Sequence, residues 1–201
     1  MKFLLKLASY LFHPIWMPFA GSLLYFITSP RFFPESVIKA KILAISILTI
    51  FIPYVFVMLL KTIGKSKSHF FPDVRERKMP LLFNSLVYLL TLKLVLDSFD
   101  YPELYFFFLG VFIATMTALS MVYLNFKVSL HMIGLAGLTS FLILLSIHFN
   151  LNLIFTISFF IAVTGLTATS RLTQKAHTTK ELIIGLLVGA IPQFFLAILW
   201  L

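Results

Sequence analysis

Two histidines, one carboxylate and several cations sit in two polar links of an otherwise apolar chain, and a third link is rich in cations. The link 170–181 carries Ser170, Arg171, Lys175, His177, Lys180 and Glu181. The link 127–131 carries Lys127, Ser129 and His131. The link 65–80 carries Lys65, Lys67, His69, Asp73, Arg75, Glu76, Arg77 and Lys78. Together these are the residue types needed to move a phosphoryl group off a lipid. A histidine can attack phosphorus. A carboxylate fixes the tautomer of that histidine and steadies the imidazolium that forms. A second histidine protonates the leaving oxygen. Cations and helix N-termini hold the charged oxygens of phosphorus, and the planar fork of Arg171 matches phosphate geometry.

The elements that must position these residues follow from composition. The chain has 201 residues, 60% apolar by type and only 11% charged, with a mean hydropathy of +1.03. A soluble domain of this size cannot hide so much apolar surface, and a disordered chain does not carry it. Lipid is therefore the expected solvent. Spans are predicted at about 7–28, 43–60, 81–96, 104–124, 131–146, 153–168 and 182–201, in one integral-membrane domain over 1–201. They are expected to be helices, because lipid tolerates only helices or closed barrels and no strand-length alternation is present. The first is expected to bend or break near Pro14 and Pro18, and the third is short. Ala114/Ala118 and Gly185/Gly189 have the four-residue spacing that lets helices approach closely. The expected fold is an all-α polytopic bundle of six core spans plus a seventh.

With no cysteine, disulfides and thiolate metal sites are excluded. The formal net charge is +9, from 16 Lys and Arg against 7 Asp and Glu. With seven spans, most cations fall on the side of the three polar links; only Arg31, Lys39, Lys41 and Lys93 fall on the other. The positive-inside rule puts the first side in the cytoplasm. Cations that bind substrate would bias that count, so orientation stays open. Other polar residues take plainer readings. His13, His69 and His148 read as packed or interfacial, and Asp97 and Asp100 as a solvated turn. Thr178 and Glu181 also form a capping-box pattern for the last helix, a role compatible with a catalytic one.

The third link reads Ser-Arg, five residues, His, three residues, Glu. This resembles the last signature of the type 2 phosphatidic acid phosphatase superfamily, which ends in Asp. Ser129-Leu130-His131 resembles that family's Pro-Ser-Gly-His, with Val128 and Leu130 in place of Pro and Gly. The basic link resembles the region of the family's first signature but does not align with it. The resemblance spans about 61–201 and is closest to small bacterial members. It implies a lipid phosphate phosphatase of a bacterial inner membrane, working without metal or other cofactor through a phosphohistidine. Its substrate would be phosphatidic acid, phosphatidylglycerol phosphate, a polyprenyl diphosphate or a lipid A phosphate; no nucleic acid is involved. By matching positions, His177 is the nucleophile, Glu181 its orienter and His131 the general acid. Arg171, Ser170 and Ser129 bind phosphate. Lys127, Arg75, Arg77 and Lys78 are phosphate-binding candidates by charge and loop position. The alternatives are a degenerate member that binds anionic lipid or a membrane partner, and a prenyl-lipid transferase, which would need magnesium.

Overall fold

The structure is a computed structural model that describes residues 2–63 and 73–201. Lys65, Lys67 and His69 lie outside the described residues.

The first predicted span is broken, and proline is the cause. α1 (Lys2–Leu11) stops short of Pro14, which cannot continue an α-helix. His13 takes the extended backbone that a residue before proline prefers, with φ −66° and ψ 139°. A short 3₁₀ turn, Pro14–Trp16, then leads into α2 (Met17–Thr28), with Pro18 in its first turn, where a missing N–H costs nothing.

The second span is longer than expected. α3 (Glu35–Ser46), a π-helical segment (Ile47–Phe51) and α4 (Ile52–Thr62) run on as one rod, in which the wider π turn lies just before Pro53. Pro53 has no N–H for the carbonyl four residues back, and a locally wider turn accommodates the gap. The early start reflects the exposed Glu35–Lys39 ion pair at 2.6 Å, one turn apart. Charged residues there hide the helix from an apolar window.

The remaining helices are α5 (Lys78–Leu94), α6 (Pro102–Tyr123), α7 (Leu130–His148), α8 (Ile154–Thr173) and α9 (Thr179–Ala197). α8 continues past the expected end at 168. In its polar tail the Thr164, Thr169 and Thr173 hydroxyls are satisfied within the helix, on carbonyls four residues back. Arg171 and Ser170 are therefore in the last turn of a helix, not in a loop.

Six helical stretches are long and apolar enough to cross a membrane. α5, the expected third span, is not among them. Its 17 residues make a rod of about 25 Å at 1.5 Å per residue, short of a hydrocarbon core of about 30 Å. Among the described residues there is no strand. The outer surface is apolar, with Phe155 87%, Ile198 78% and Phe195 74% exposed. Such a surface suits lipid rather than water.

α7 is the central helix, packed against α9, α8, α2 and α6. Its approach to α9 is set by glycine. A Cβ on Gly189 would collide with the backbone carbonyl of Ile133, and one on Gly185 would sit 2.8 Å from the carbonyl oxygen of Ser129. The two helix N-termini therefore lie together, and the Ser129 N–H donates to the Glu181 carbonyl at 3.2 Å. This contact brings the second and third polar links to one place.

Candidate functional site

α8 ends on a turn that requires Lys175 to adopt a left-handed backbone, φ 51°. The Ala176 N–H then closes on the Arg171 carbonyl at 3.0 Å, which reverses the chain and delivers His177 to the start of α9. Thr178 caps α9. Its N–H donates to Glu181 Oε2 at 3.0 Å, while its hydroxyl accepts from the Glu181 N–H at 3.4 Å. The same Oε2 is 2.9 Å from His177 Nδ1. A carboxylate accepts only, so Nδ1 carries the proton and Nε2 keeps its lone pair.

Burial and the neighbouring Arg77 charge push the His177 pKa down to about 4, against the upward pull of its hydrogen bond to Glu181. The ring is therefore neutral at neutral pH, the state a nucleophilic nitrogen needs.

Arg77 reaches the site from the short 3₁₀ turn Arg75–Arg77 ahead of α5. It is buried, and its Nη1 donates to the Val128 carbonyl at 2.9 Å. Burial lowers its pKa to about 10, which leaves it charged at neutral pH. Arg171 is also buried, one turn from the end of α8.

His131, in the first turn of α7, is held by its Nε2 on the Ser9 carbonyl at 3.0 Å. A carbonyl can only accept, so this nitrogen bears the proton and Nδ1 is the one able to take up another. The ring of His13 stands edge-on to that of His131, with centroids 5.4 Å apart.

His13, His131, His177, Arg77, Arg171 and Lys61 all border one cavity of about 710 Å³. No carboxylate borders it among the described residues. Away from this cationic end its wall becomes apolar, with Phe107, Val111, Ala114 and Gly137, and only a few amide and hydroxyl groups such as Asn84, Thr115 and Gln193. The arrangement suits an anion joined to an apolar body.

The other sequence candidates stand outside this wall. Ser170 is buried behind it, its hydroxyl 2.8 Å from both Ser9 Oγ and Gln174 Nε2. Ser129 is fully buried, and its Oγ has no hydrogen-bond partner among the described residues. Lys127 is half-buried, its pKa lowered by burial and by Arg77. Arg75 is exposed in the loop turn, and Lys78 lies over the Tyr123 ring at 4.5 Å. Neither faces the cavity. Among the described residues no group of three His, Asp or Glu side chains is placed to hold a metal.

Two residues of the wall escaped the sequence reading. His13 read as a packed or interfacial histidine and Tyr10 was not singled out, yet both border the cavity. The available signal was an ionisable residue at a proline break inside a span. His148 also differs from the interfacial reading, since its Nε2 is 3.2 Å from the buried Glu103.

Fold and site together define a class: an all-helical chain with six helices of membrane-spanning length and a cation-walled cavity at one end of the bundle. Compared with protein-family models, curated proteins and solved structures, the chain matches none.

Proposed function

We propose that this protein is a bacterial inner-membrane lipid phosphatase that removes a phosphate from a lipid monoester or diphosphate. One observation carries the reading. His177, neutral and oriented through Nδ1 by Glu181, borders a cavity walled by Arg77, Arg171 and Lys61, with no opposing carboxylate among the described residues. The resemblance of the link 170–181 to the last signature of the type 2 phosphatidic acid phosphatases adds to it.

In this reading His177 Nε2 attacks phosphorus and forms a P–N bond. The P–O bond to the lipid breaks, and its electron pair leaves with the lipid oxygen. That oxygen takes a proton from His131, protonated on Nδ1 and steadied through Nε2 by the Ser9 carbonyl. Water then attacks phosphorus, giving its proton to His131, and the P–N bond breaks to release phosphate. Arg77 and Arg171 neutralise the oxygens of phosphorus throughout, which is where most of the barrier lowering arises. The apolar wall around Phe107 and Val111 receives part of the lipid body.

The test is phosphate release from phosphatidic acid, phosphatidylglycerol phosphate, polyprenyl diphosphate and lipid A phosphates in detergent with EDTA. Wild type should release phosphate from at least one lipid, and His177→Ala should release none. If wild type is inert on the whole panel, the phosphatase reading fails and an anion-binding role replaces it.

A further inference from the structure

The cavity runs lengthwise through the bundle, and four helices agree on where it ends. α7 and α9 start side by side, where the Ser129 N–H meets the Glu181 carbonyl, and both run away from the cationic end. α5 also starts at that end, just after Arg77, and α6 runs back toward it. The cavity follows α5 as far as Tyr88, α6 back to Phe107, α7 to Gly137 and α9 to Gln193. Among the described residues, no position on these helices further from the cationic end borders it.

These limits meet at one level. Gln193 Nε2 donates to the Phe107 carbonyl at 3.1 Å. The Phe107 ring lies on that of Phe141, with centroids 4.3 Å and planes 20° apart, and the Tyr88 ring stands edge-on to that of Phe108. α2 hems the Phe107 ring in as well, since a Cβ on Gly21 would lie 2.6 Å from its Cε1 and Cζ atoms. Phe107 is therefore a fixed, buried floor. Glu103, one turn further along α6, lies on the other side of it.

The depth above the floor has a natural match. From His131 to Phe141, ten residues of α7 rise about 15 Å. From Ala118 to Phe107, eleven residues of α6 give about 16 Å. Either is about half of a hydrocarbon core of about 30 Å, the depth to which the chains of one leaflet reach. Between the two ends α6 presents only short side chains, Val111, Ala114, Thr115 and Ala118.

We propose that Phe107 sets the length of chain this protein accepts: one apolar chain of the substrate lies along α6, its phosphate at the cationic end and its chain end against the Phe107 ring. The proposal rests on the cavity being the site of a lipid phosphate, but not on the reaction. With a C–C bond of about 1.5 Å, a zigzag chain advances about 1.25 Å per methylene, so the depth takes about twelve methylenes.

The test raises the floor in steps. Val111 and Thr115 border the cavity about 6 and 12 Å above Phe107 on α6, and both are only half-buried. Purified full-length protein, in a steroid-based detergent whose fused rings cannot enter as a chain does, is titrated with n-alkylphosphonates from methyl to octadecyl. Their C–P bond is not hydrolysed, so binding is read without turnover, and affinities are referred to free monomer in water. Wild-type affinity should rise about fourfold per added methylene and level off at about twelve. Val111→Phe should level off about five methylenes earlier and Thr115→Phe earlier still. Methylphosphonate affinity should stay within about twofold of wild type in both. If Val111→Phe does not fold, Thr115→Phe carries the test. The same levelling length in wild type and variants overturns the proposal. So does an equal loss at every length, methyl included, which marks general damage, and so does a wild type whose affinity ignores chain length or that binds no phosphonate. A wild type that levels off as expected yet releases no phosphate from lipids defeats the phosphatase reading and leaves the floor standing. Release of phosphate without any length dependence of binding does the reverse.

Discussion

Buried charge is handled in two opposite ways at the two ends of this bundle. At one end Glu103 is completely buried and saturated with donors. Tyr25 Oη donates to it at 2.9 Å, Arg31 Nε and Nη2 at 3.1 and 2.6 Å, and His148 Nε2 lies at 3.2 Å. At the other end, 17 positions back along α7 from His148 and so about 26 Å away, Arg77 and Arg171 share a cavity wall with three histidines and no carboxylate among the described residues. Glu181 brings negative charge near, and it is bound to His177 and Thr178. A charge cluster complete within the protein fastens segments together, here the start of α6, the end of α7 and the link after α2. A cavity wall on which cations outnumber carboxylates among the described residues fits the anionic ligand proposed above.

The comparison is broken most directly at Glu103. Glu103→Ala leaves the buried tyrosine and the arginine without their acceptor and should cost about 3–5 kcal/mol, the usual effect of removing one partner of a buried pair. The check is thermal or denaturant unfolding in detergent. Phosphate release per folded molecule should change little, since the cluster is remote from the cavity. The reverse pattern is expected for Arg77→Gln. Removing a cation from a cation-rich cluster offsets part of the loss of the hydrogen bond to the Val128 carbonyl, so stability should fall by about 1–2 kcal/mol, less than at Glu103. The substitution should lower the phosphate-release rate at least about a hundredfold, or about 2.7 kcal/mol of transition-state stabilisation. Equal losses of stability in both variants would erase the distinction between the two ends.

Acid gives the smallest effect and the finest one. The His177 pKa is about 4 in the folded protein against an ordinary 6.5, so between those values the unfolded chain binds more protons than the folded one. The contribution of His177 to stability is therefore fully present above about pH 6.5 and declines as pH falls toward 4. His177→Phe should remove that part of the acid sensitivity in melts run from pH 7 to 4.5. If His177 acts as the proposed nucleophile, it should stay unprotonated to about pH 4, and kcat/KM for phosphate release should show no acid limb near 6.5 from this residue.

Much of the fold was legible from apolar windows, because a residue facing lipid must be apolar along its whole run. The errors fall where polar residues are helical anyway. Glu35, Lys39 and Lys41 begin the second span early because their charged ends reach water, one another or, for Lys41, the Val95 carbonyl. Ser170 and Arg171 remain in α8, where the threonine hydroxyls around them are satisfied on the helix's own carbonyls and an apolar window sees only polar residues. In the site, the pairing of His177 with Glu181 was legible through the resemblance of the link 170–181, and the contact itself comes from Glu181 reaching back over the Thr178 cap. Arg77 was not distinguishable from Arg75 or Lys78. Only the chain direction after the turn sends Arg77 inward to Val128, Arg75 into solvent and Lys78 onto Tyr123. His13 stood out only as an ionisable residue at a proline break; its nearness to His131 is set by how the broken helix folds back, a long-range fact that no local pattern carries.

A single oxygen, Glu181 Oε2, serves two masters: it orients the His177 ring and it starts α9. Heredity feels this. Any change at position 181 is screened first by whether the last helix still begins there, and only then by what the histidine can do. The extra methylene of glutamate over aspartate is what a residue three past the cap needs in order to reach back to the Thr178 N–H. The helix start alone would be served by glutamate or glutamine at 181, so the cap by itself does not require the carboxylate that His177 Nδ1 meets.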